Sequence, residues 1–461
     1  MGRLRAPSIG FVVGLLVAVA GLAAGLDQLS DNSFLTHLAT GRLLLDGDIP
    51  RHDVYTFTAD GDPWVVQSWL ASLLFGAADE VAGGDGVRIV FGVTMAGLAG
   101  AGWTLTRPAS ELIGRLVALV PFLVVGLGGG WQERPFVIGL LLLAVALLAA
   151  EGGFSPRWLV PVGWVWLNVH GSWPLGLVAL GLLAVGRRLD GKRPEHELAA
   201  LRWLAAGLAL GALNPYGPRL WVFPFELLGR RDTLRTIVEW RAPQFQSTAE
   251  LAFLAGVALA VIVLCRRPTW RAALPLAVFT AAALLGARNV PVAAVVLLPG
   301  TAAALSGLGT VRSELHRPVL RMAVVAVAVL GLAVAAARLE RPAFDLEGYP
   351  VAATGWLEDN GLDPRTTRIA AQDVVGNFWE LRYGADASVF ADDRVEVLPA
   401  QLFEDEVTLL NGDRGWDDIL DSYRIEAVLW PAEEALSELL ALHPGWQRVH
   451  EDDGYVVFRR D

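Results

Sequence analysis

The sequence predicts an α-helical polytopic membrane protein with a C-terminal α/β extracytoplasmic domain, on three observations. Hydrophobic residues fill 54% of the 461 positions against 18% charged, and the mean hydropathy is +0.46, too apolar for an ordinary soluble chain. The apolar residues come in long blocks and not at the spacing of a half-buried helix or strand. The formal net charge of −11 is unevenly spread, since 26 acids face 9 bases from Pro342 onward, leaving about −17 in the tail and about +6 before it. The expected division is a transmembrane domain over 1–340, with an outer loop at 27–85, and a soluble domain over 341–461. The single cysteine, Cys265, cannot form an internal bridge, so an exported domain must fold on packing alone.

In order along the chain, apolar stretches near the roughly 20 residues that a bilayer requires lie at 9–26, 86–105, 113–129, 135–150, 158–187, 199–213, 249–265, 270–287, 290–308 and 318–337. The first reads as an uncleaved signal anchor and not as a cleaved signal peptide, because so many further spans follow it. The 158–187 block is too long for one helix, and NVHGSWPLG in its middle supplies polar and helix-breaking residues, so it divides into two short spans. That makes eleven. With the N-terminus cytoplasmic, Arg3, Arg5, Arg107, Arg115, Arg157, RRLDGKR at 187–193, RRPTWR at 266–271, Arg312 and Arg317 all fall on the inner side. Against this count, 214–248 on the opposite side carries Arg219, Arg230, Arg231, Arg235 and Arg241, which marks a slip of topology or an anion to be bound.

This topology gathers the polar islands on the outer face. They are the loop 27–85, WQERP (131–135), NVHGSW (168–173), NPYGPRLW (214–221), EWRAPQF (239–245), ARN (287–289) and the acidic tail. A site built there meets a substrate whose head group lies at the membrane surface. In the tail, PVAATGWLEDNG reads as a helix ended by glycine. RIAAQ (368–372), ASVFA (387–391), EAVLW (426–430), QRVHE (447–451) and YVVFRR (455–460) read as strands, with a helix at AEEALSELLALHPG.

Several of these islands carry patterns in a fixed order: D-x5-H-L-A-T-G-R, G-D-I-P-x2-D-x-Y-T-F-T and P-W-x2-Q-S-W-L between Asp31 and Leu70, then Arg134-Pro135, W-L-N-V-H-G-S-W (166–173), N-P-Y-G (214–217), E-W-x-x-P (239–243) and R-N-V-P (288–291). In these patterns the chain resembles the bacterial polytopic membrane proteins related to the GT-C glycosyltransferases, over most of its length. The tail segments YPVAATGWLEDNG and VFADDRVEV are similar to that group as well. The resemblance implies a GT-C-like membrane fold in the bacterial cytoplasmic membrane and a polyprenyl-phosphate-linked sugar donor. It also implies an acidic catalytic base in the first outer loop and transfer to a glycan, lipid or protein acceptor of the cell envelope. Where that group carries an aspartate and paired tryptophans before the histidine, this chain has Ser33, Leu35 and Thr36, so Asp31 is the remaining acid of that turn.

Such a transfer needs a base for the acceptor proton and positive charge for the departing phosphate. Asp31 stands a few residues past the first span, where partial desolvation favours basicity, and equally where a helix N-cap is wanted. His37 and Gly41 lie i, i+4 on the following helix and share a face, the glycine leaving room beside the imidazole. Asp53 is the second acid, or an Asx-turn. Arg42 suits phosphate or a snorkelling position. Trp64 and Trp69 suit sugar stacking or the aromatic belt, with Gln67 between them. Asn168 and His170, deep in the divided span, face a cavity or a partner, because unpaired polar groups are costly there. Arg134 and Arg288 end spans and suit phosphate binding or snorkelling. Asn214 opens a turn, and Glu239 with Trp240 would line the acceptor groove. No spaced metal-ligand signature occurs, so no cofactor is expected, and a divalent ion would have to be held by carboxylates alone. No nucleotide-binding glycine loop appears, which argues against a nucleotide-sugar donor, and nucleic acid is not an expected partner. A non-catalytic protein that binds or moves lipid-linked glycans is the rival reading. A transporter fits less well, for want of an inverted repeat.

Overall fold

The computed structural model describes residues 7–234, 237–307, 316–452 and 454–461, with Arg231 and Asp232 described by their backbone alone. Arg3, Arg5, Arg235 and Arg312 lie outside the described residues. In chain order the helices are α1 (Ile9–Gly25), α2 (Asn32–Leu45), α3 (Trp69–Leu105), α4 (Leu112–Val125), α5 (Pro135–Ala150), α6 (Leu159–Val169), α7 (Trp173–Leu189), α8 (Glu195–Leu210), α9 (Arg219–Gly229), α10 (Arg231–Leu234), α11 (Thr248–Arg266), α12 (Trp270–Leu285), α13 (Val290–Ala304) and α14 (Arg317–Leu339). The tail adds α15 (Val351–Asp359), β1 (Ile369–Ala370), α16 (Asp373–Tyr383), α17 (Ala400–Asn411), α18 (Trp416–Ser422), β2 (Ala427–Pro431), α19 (Ala435–Leu442), β3 (Trp446–Asp452) and β4 (Tyr455–Arg460). Two compact units result. One takes in the chain up to Leu29, Val81–Phe225 and the stretch ending at Ala343, and the other takes in Ser30–Glu80, Glu226–Leu234 and Phe344–Asp461. Ser30–Glu80, most of the 27–85 loop, therefore groups with the tail and not with the apolar helices. The division falls inside α3, where Ala82 leaves the helical region and Gly83 adopts φ 60°, a left-handed backbone that only glycine takes without strain.

The first unit is helical. Among the described residues five segments are long and apolar enough to cross a membrane: Trp69–Ala109, Leu112–Gly130, Thr248–Arg266, Ala287–Ala304 and Arg317–Leu339. Ile9–Gly25, Pro135–Ala150 and Trp270–Leu285 are apolar but shorter. A helix forms at every stretch the hydropathy marked, yet the count of eleven spans exceeds the five that satisfy length and composition. Large apolar side chains point outward on α11 (Leu254, Val261, Ile262) and α14 (Met322, Val325, Leu332), as suits helices whose solvent is lipid. The break in the long block falls where NVHGSW predicts it, with α6 ending at Val169 and His170 extended (φ −161°, ψ 140°).

Close helix crossings use glycine. A Cβ on Gly163 would lie 2.7 Å from Leu204 O, and one on Gly207 2.2 Å from Val160 O, so α6 and α8 touch backbone to backbone. Val12, Leu320 and Val327 pack α1 along α14. At the C-terminal ends of those two helices the fully buried Arg88 donates to the carbonyls of Leu26, Asp27, Arg338 and Arg341. Elsewhere in this unit Glu197, wholly enclosed, accepts from Arg271 at 2.8 Å and pairs with Arg187 at 3.3 Å, while Arg271 also reaches Glu151 at 2.7 Å. These groups join the C-terminal ends of α5 and α7 to the N-terminal ends of α8 and α12, which brings two of the basic connections together.

The second unit has a four-stranded sheet in the order β1-β2-β4-β3, with β1 parallel to β2 and the other pairs antiparallel. Leu429, Trp430, Val457 and Phe458 are buried in its strands, and Leu357, Trp379, Leu436 and Leu440 are buried in the helices of the tail. The segment 387–391 is not a fifth strand of this sheet. Val389 forms an isolated parallel bridge with Thr56, exchanging backbone bonds with Tyr55 and Phe57 of the first loop. Helices α16, α17 and α18 had no counterpart in the sequence reading.

Candidate functional site

In the second unit, Asp31 takes the N-cap position of α2 with extended backbone, as the capping pattern predicts, but its side chain accepts no capping bond. Its negative charge, after burial, helps push the Tyr349 hydroxyl up to about 12, and that hydroxyl donates to Asn32 Oδ1 at 3.3 Å. His37, half-buried, places Nδ1 3.2 Å from Ser72 Oγ. The room expected beside it is filled, because a Cβ on Gly41 would sit 2.0 Å from Ser72 O and one on Gly76 2.6 Å from Gly41 O. Those glycines let α2 and the first part of α3 cross at contact distance.

The other loop candidates are structural in their surroundings. Asp53 is 4% exposed, accepts from Thr56 N at 2.9 Å and Thr56 Oγ1 at 2.6 Å, and pairs with Arg394 at 2.6 Å. It is a turn-closing, ion-paired acid with no open face, which withdraws it as a supporting acid. Trp64 is enclosed in the core, edge-on to Tyr55 and 4.4 Å below the Arg394 guanidinium, so neither sugar stacking nor the aromatic belt describes it. Gln67 accepts from Ser68 Oγ at 3.3 Å, and Trp69 begins α3 half-buried. Arg42 is spent on Asp79, at 2.8 and 3.0 Å, and on Leu381 O at 3.2 Å. Arg230, one of the arginines that marked a slip of topology or an anion to be bound, donates to Val395 O and Leu398 O at 2.7 and 2.9 Å and so staples tail backbone.

The first unit brings more together. Arg134 is the N-cap of α5, Glu239 and Trp240 lie in the 3-10 turn Val238–Trp240, and Arg288 lies in the 3-10 turn Ala287–Asn289 that leads into α13. Arg134 Nη1 stands 3.3 Å and Arg288 Nη1 3.4 Å from the same Glu239 oxygen. Arg288 also lies 5.0 Å from the Trp240 ring centre and 5.9 Å from that of Phe136. Phe136 in turn is 5.3 Å from the His170 ring. Ala287 N donates to Arg241 O at 2.8 Å, which locks the two short turns side by side. All three ionic side chains are partly exposed, at 26–31%. Their contacts with the carboxylate exceed the usual ~2.7–2.9 Å of a charge-assisted hydrogen bond. The segments that meet here contribute Glu133, Arg134, Glu239, Arg241 and Arg288, three bases against two acids.

Asn168 and Asn214 serve the same unit differently. Asn168, fully buried, donates to Trp164 O at 2.7 Å and Gly211 O at 3.3 Å, bridging α6 to the end of α8. Asn214 closes the N-P-Y-G turn, donating to Gly211 O and Gly217 O and accepting from Tyr216 N. His170 Nδ1 accepts from Ser172 N at 3.1 Å. An apolar crevice lined by Phe122, Phe253, Leu297 and Leu298 runs between α4, α11 and α13. Among the described residues no group of three His, Cys, Asp or Glu side chains is placed to hold a metal ion.

Sequence reasoning missed Phe136, which couples Arg288 to His170, although it stands two residues after Arg134. It also missed Arg88, a lone arginine in an apolar run, which the cost of charge in a span should have marked. No protein-family model matches this chain, and no curated protein matches it.

Proposed function

We propose that the chain is a membrane glycosyltransferase of GT-C type, with eleven spans, a cytoplasmic N-terminus and an extracytoplasmic tail. It moves a sugar from a polyprenyl-phosphate carrier to a cell-envelope acceptor on the outer face of the bacterial cytoplasmic membrane. The observation that supports this reading is the Arg134–Glu239–Arg288 cluster, two guanidinium groups at the ends of apolar helices gathered on one carboxylate, with Arg288 beside two aromatic rings. Planar guanidinium groups suit a phosphate head group. In the reaction Asp31 accepts the proton of the acceptor hydroxyl as that oxygen bonds to the anomeric carbon. The bond from that carbon to the phosphate oxygen breaks, and the charge left on phosphate is met by guanidinium groups. His37 orients the acceptor beside Asp31. Asp53 has no part in this scheme, because its carboxylate is enclosed with Arg394.

The loss of Asp53 as a second acid favours one other reading, a non-catalytic protein that binds or translocates lipid-linked glycans. Envelope glycan composition separates the two when cells expressing wild type, Asp31→Asn and the double substitution Arg134→Gln, Arg288→Gln are compared at matched protein level. A transferase loses its product in both variants. A binder changes the glycan profile only in the double variant, and an unchanged profile in both removes the proposal.

A further inference from the structure

Helix α2, which carries Asp31 at its start and His37 within it, has a polar stripe on the side turned into the second unit. Ser33, Thr36 and Thr40 recur at helical spacing, and Thr36 and Thr40 are 5% and 0% exposed. A buried hydroxyl stripe is costly unless each group finds a partner. The tail supplies most of the partners. Thr36 Oγ1 donates to Glu380 Oε2 at 2.5 Å and lies 3.1 Å from Asn377 Oδ1. Ser33 Oγ donates to Asp393, and Arg42 Nη1 to Leu381 O. Thr40 meets Tyr55 of the same loop.

Behind these contacts is a shared ionic centre. Arg394 Nη2 reaches Asp392 at 2.5 Å, Asp53 at 2.6 Å and Glu380 at 3.9 Å. Burial, and then the negative Asp392 beside it, drive Glu380 well above the usual carboxylate range. The network is not arranged for greatest stability: Asn377 Nδ2, Arg394 Nη1 and Trp64 Nε1 are enclosed without a partner among the described residues. Buried polar groups kept at such cost are best attested where they fix one arrangement among several.

We infer that the tail is a positioning device for the first outer loop, with Glu380 and Asn377 of α16 as positioning residues that fix the rotation and axial register of α2 and so the placement of Asp31 and His37. The inference rests on the reading of Asp31 as the base. Its closing measurement, however, does not depend on activity.

The test is amide hydrogen exchange of α2 in the purified full-length protein, beside transfer assays with a polyprenyl-phosphate-linked sugar. Glu380→Ala and Asn377→Leu should speed α2 exchange at least tenfold while β2 and β4 keep their protection. Transfer should lose tenfold or more in kcat with the donor KM unchanged. Glu380→Gln, which keeps an uncharged group and an acceptor oxygen for Thr36, should restore both. If the tail variants misfold, Thr36→Val approaches the same contact from α2 and should give the same acceleration. Unchanged α2 exchange in Thr36→Val, or in the tail variants with the sheet intact, overturns the inference. Exchange that responds while wild type transfers no sugar upholds the clamp on α2 and removes only the transferase reading.

Discussion

Replacing Arg88 tests how the first and last helices of the spanning unit are joined. The guanidinium has no solvent exposure and donates from Nε to Leu26 O and Asp27 O, from Nη2 to Leu26 O and Arg338 O, and from Nη1 to Asp85 and Arg341 O. It therefore satisfies carbonyls at the C-terminal ends of both α1 and α14, groups that helix geometry leaves unpaired. Arg88→Met fills much of the same volume and removes every donor. Removing the buried charge and its donors in this way costs about 3–5 kcal/mol, a factor of roughly 2 × 10² to 5 × 10³ in the folding equilibrium. Arg88→Lys keeps the charge but has no planar fork to bridge two helices, and should lose about half as much. Unfolding midpoints in detergent, with cysteine-accessibility labelling at the end of α14 as a local probe, measure both. If Arg88→Met lies within about 0.5 kcal/mol of wild type, as an ordinary surface substitution does, or if lysine serves as well as arginine, the fork is not the fastening.

In the tail, burial and then the charge of Asp373 push Glu406 up to about 8 from an ordinary 4.5. The folded state thus binds its proton more tightly than the unfolded state, and stability should fall as pH rises from the carboxylate range through about 8 and level off above it. Glu406→Gln should flatten that profile, as followed by amide exchange of β2 and β4 against pH. Gly41→Ala forces a methyl group onto the Ser72 carbonyl, and overpacking of this kind costs about 1–3 kcal/mol. It should appear as faster exchange in both α2 and the first half of α3. Asn168→Leu strips a donor from Trp164 O and leaves Gly211 O with Asn214 alone, and at about 0.5–1.5 kcal/mol for each hydrogen bond lost it should lower the unfolding midpoint.

The sequence shows best what depends on neighbours along the chain. NVHGSW interrupts an apolar block with polar and glycine residues, so the gap between α6 and α7 can be read directly. EAVLW and YVVFRR are apolar runs with turn residues beside them and became β2 and β4. ASVFA has the same composition, but its partner is Thr56 far back in the chain, which no local pattern announces. DVVGNFWELRY hides α16 because its buried positions include Asn377 and Glu380, polar residues that pattern reading assigns to solvent. The candidate site divides along the same line. Arg134, Glu239, Trp240 and Arg288 stand at helix ends and attract notice singly, while their common carboxylate is visible only in three dimensions. Asp53 and Trp64 resemble site residues until Arg394 is placed beside them.

Thr36 and its partner Asn377 are separated by 341 residues. At roughly 5–20 residues per second of synthesis, the ribosome needs roughly 20–70 s after making the first half of this contact before it can make the second. Through that interval Ser33 and Thr36 lack their tail partners and Asp53 lacks Arg394. Chaperones or proteases can meet the loop first, and premature termination anywhere before α16 leaves it permanently unfinished.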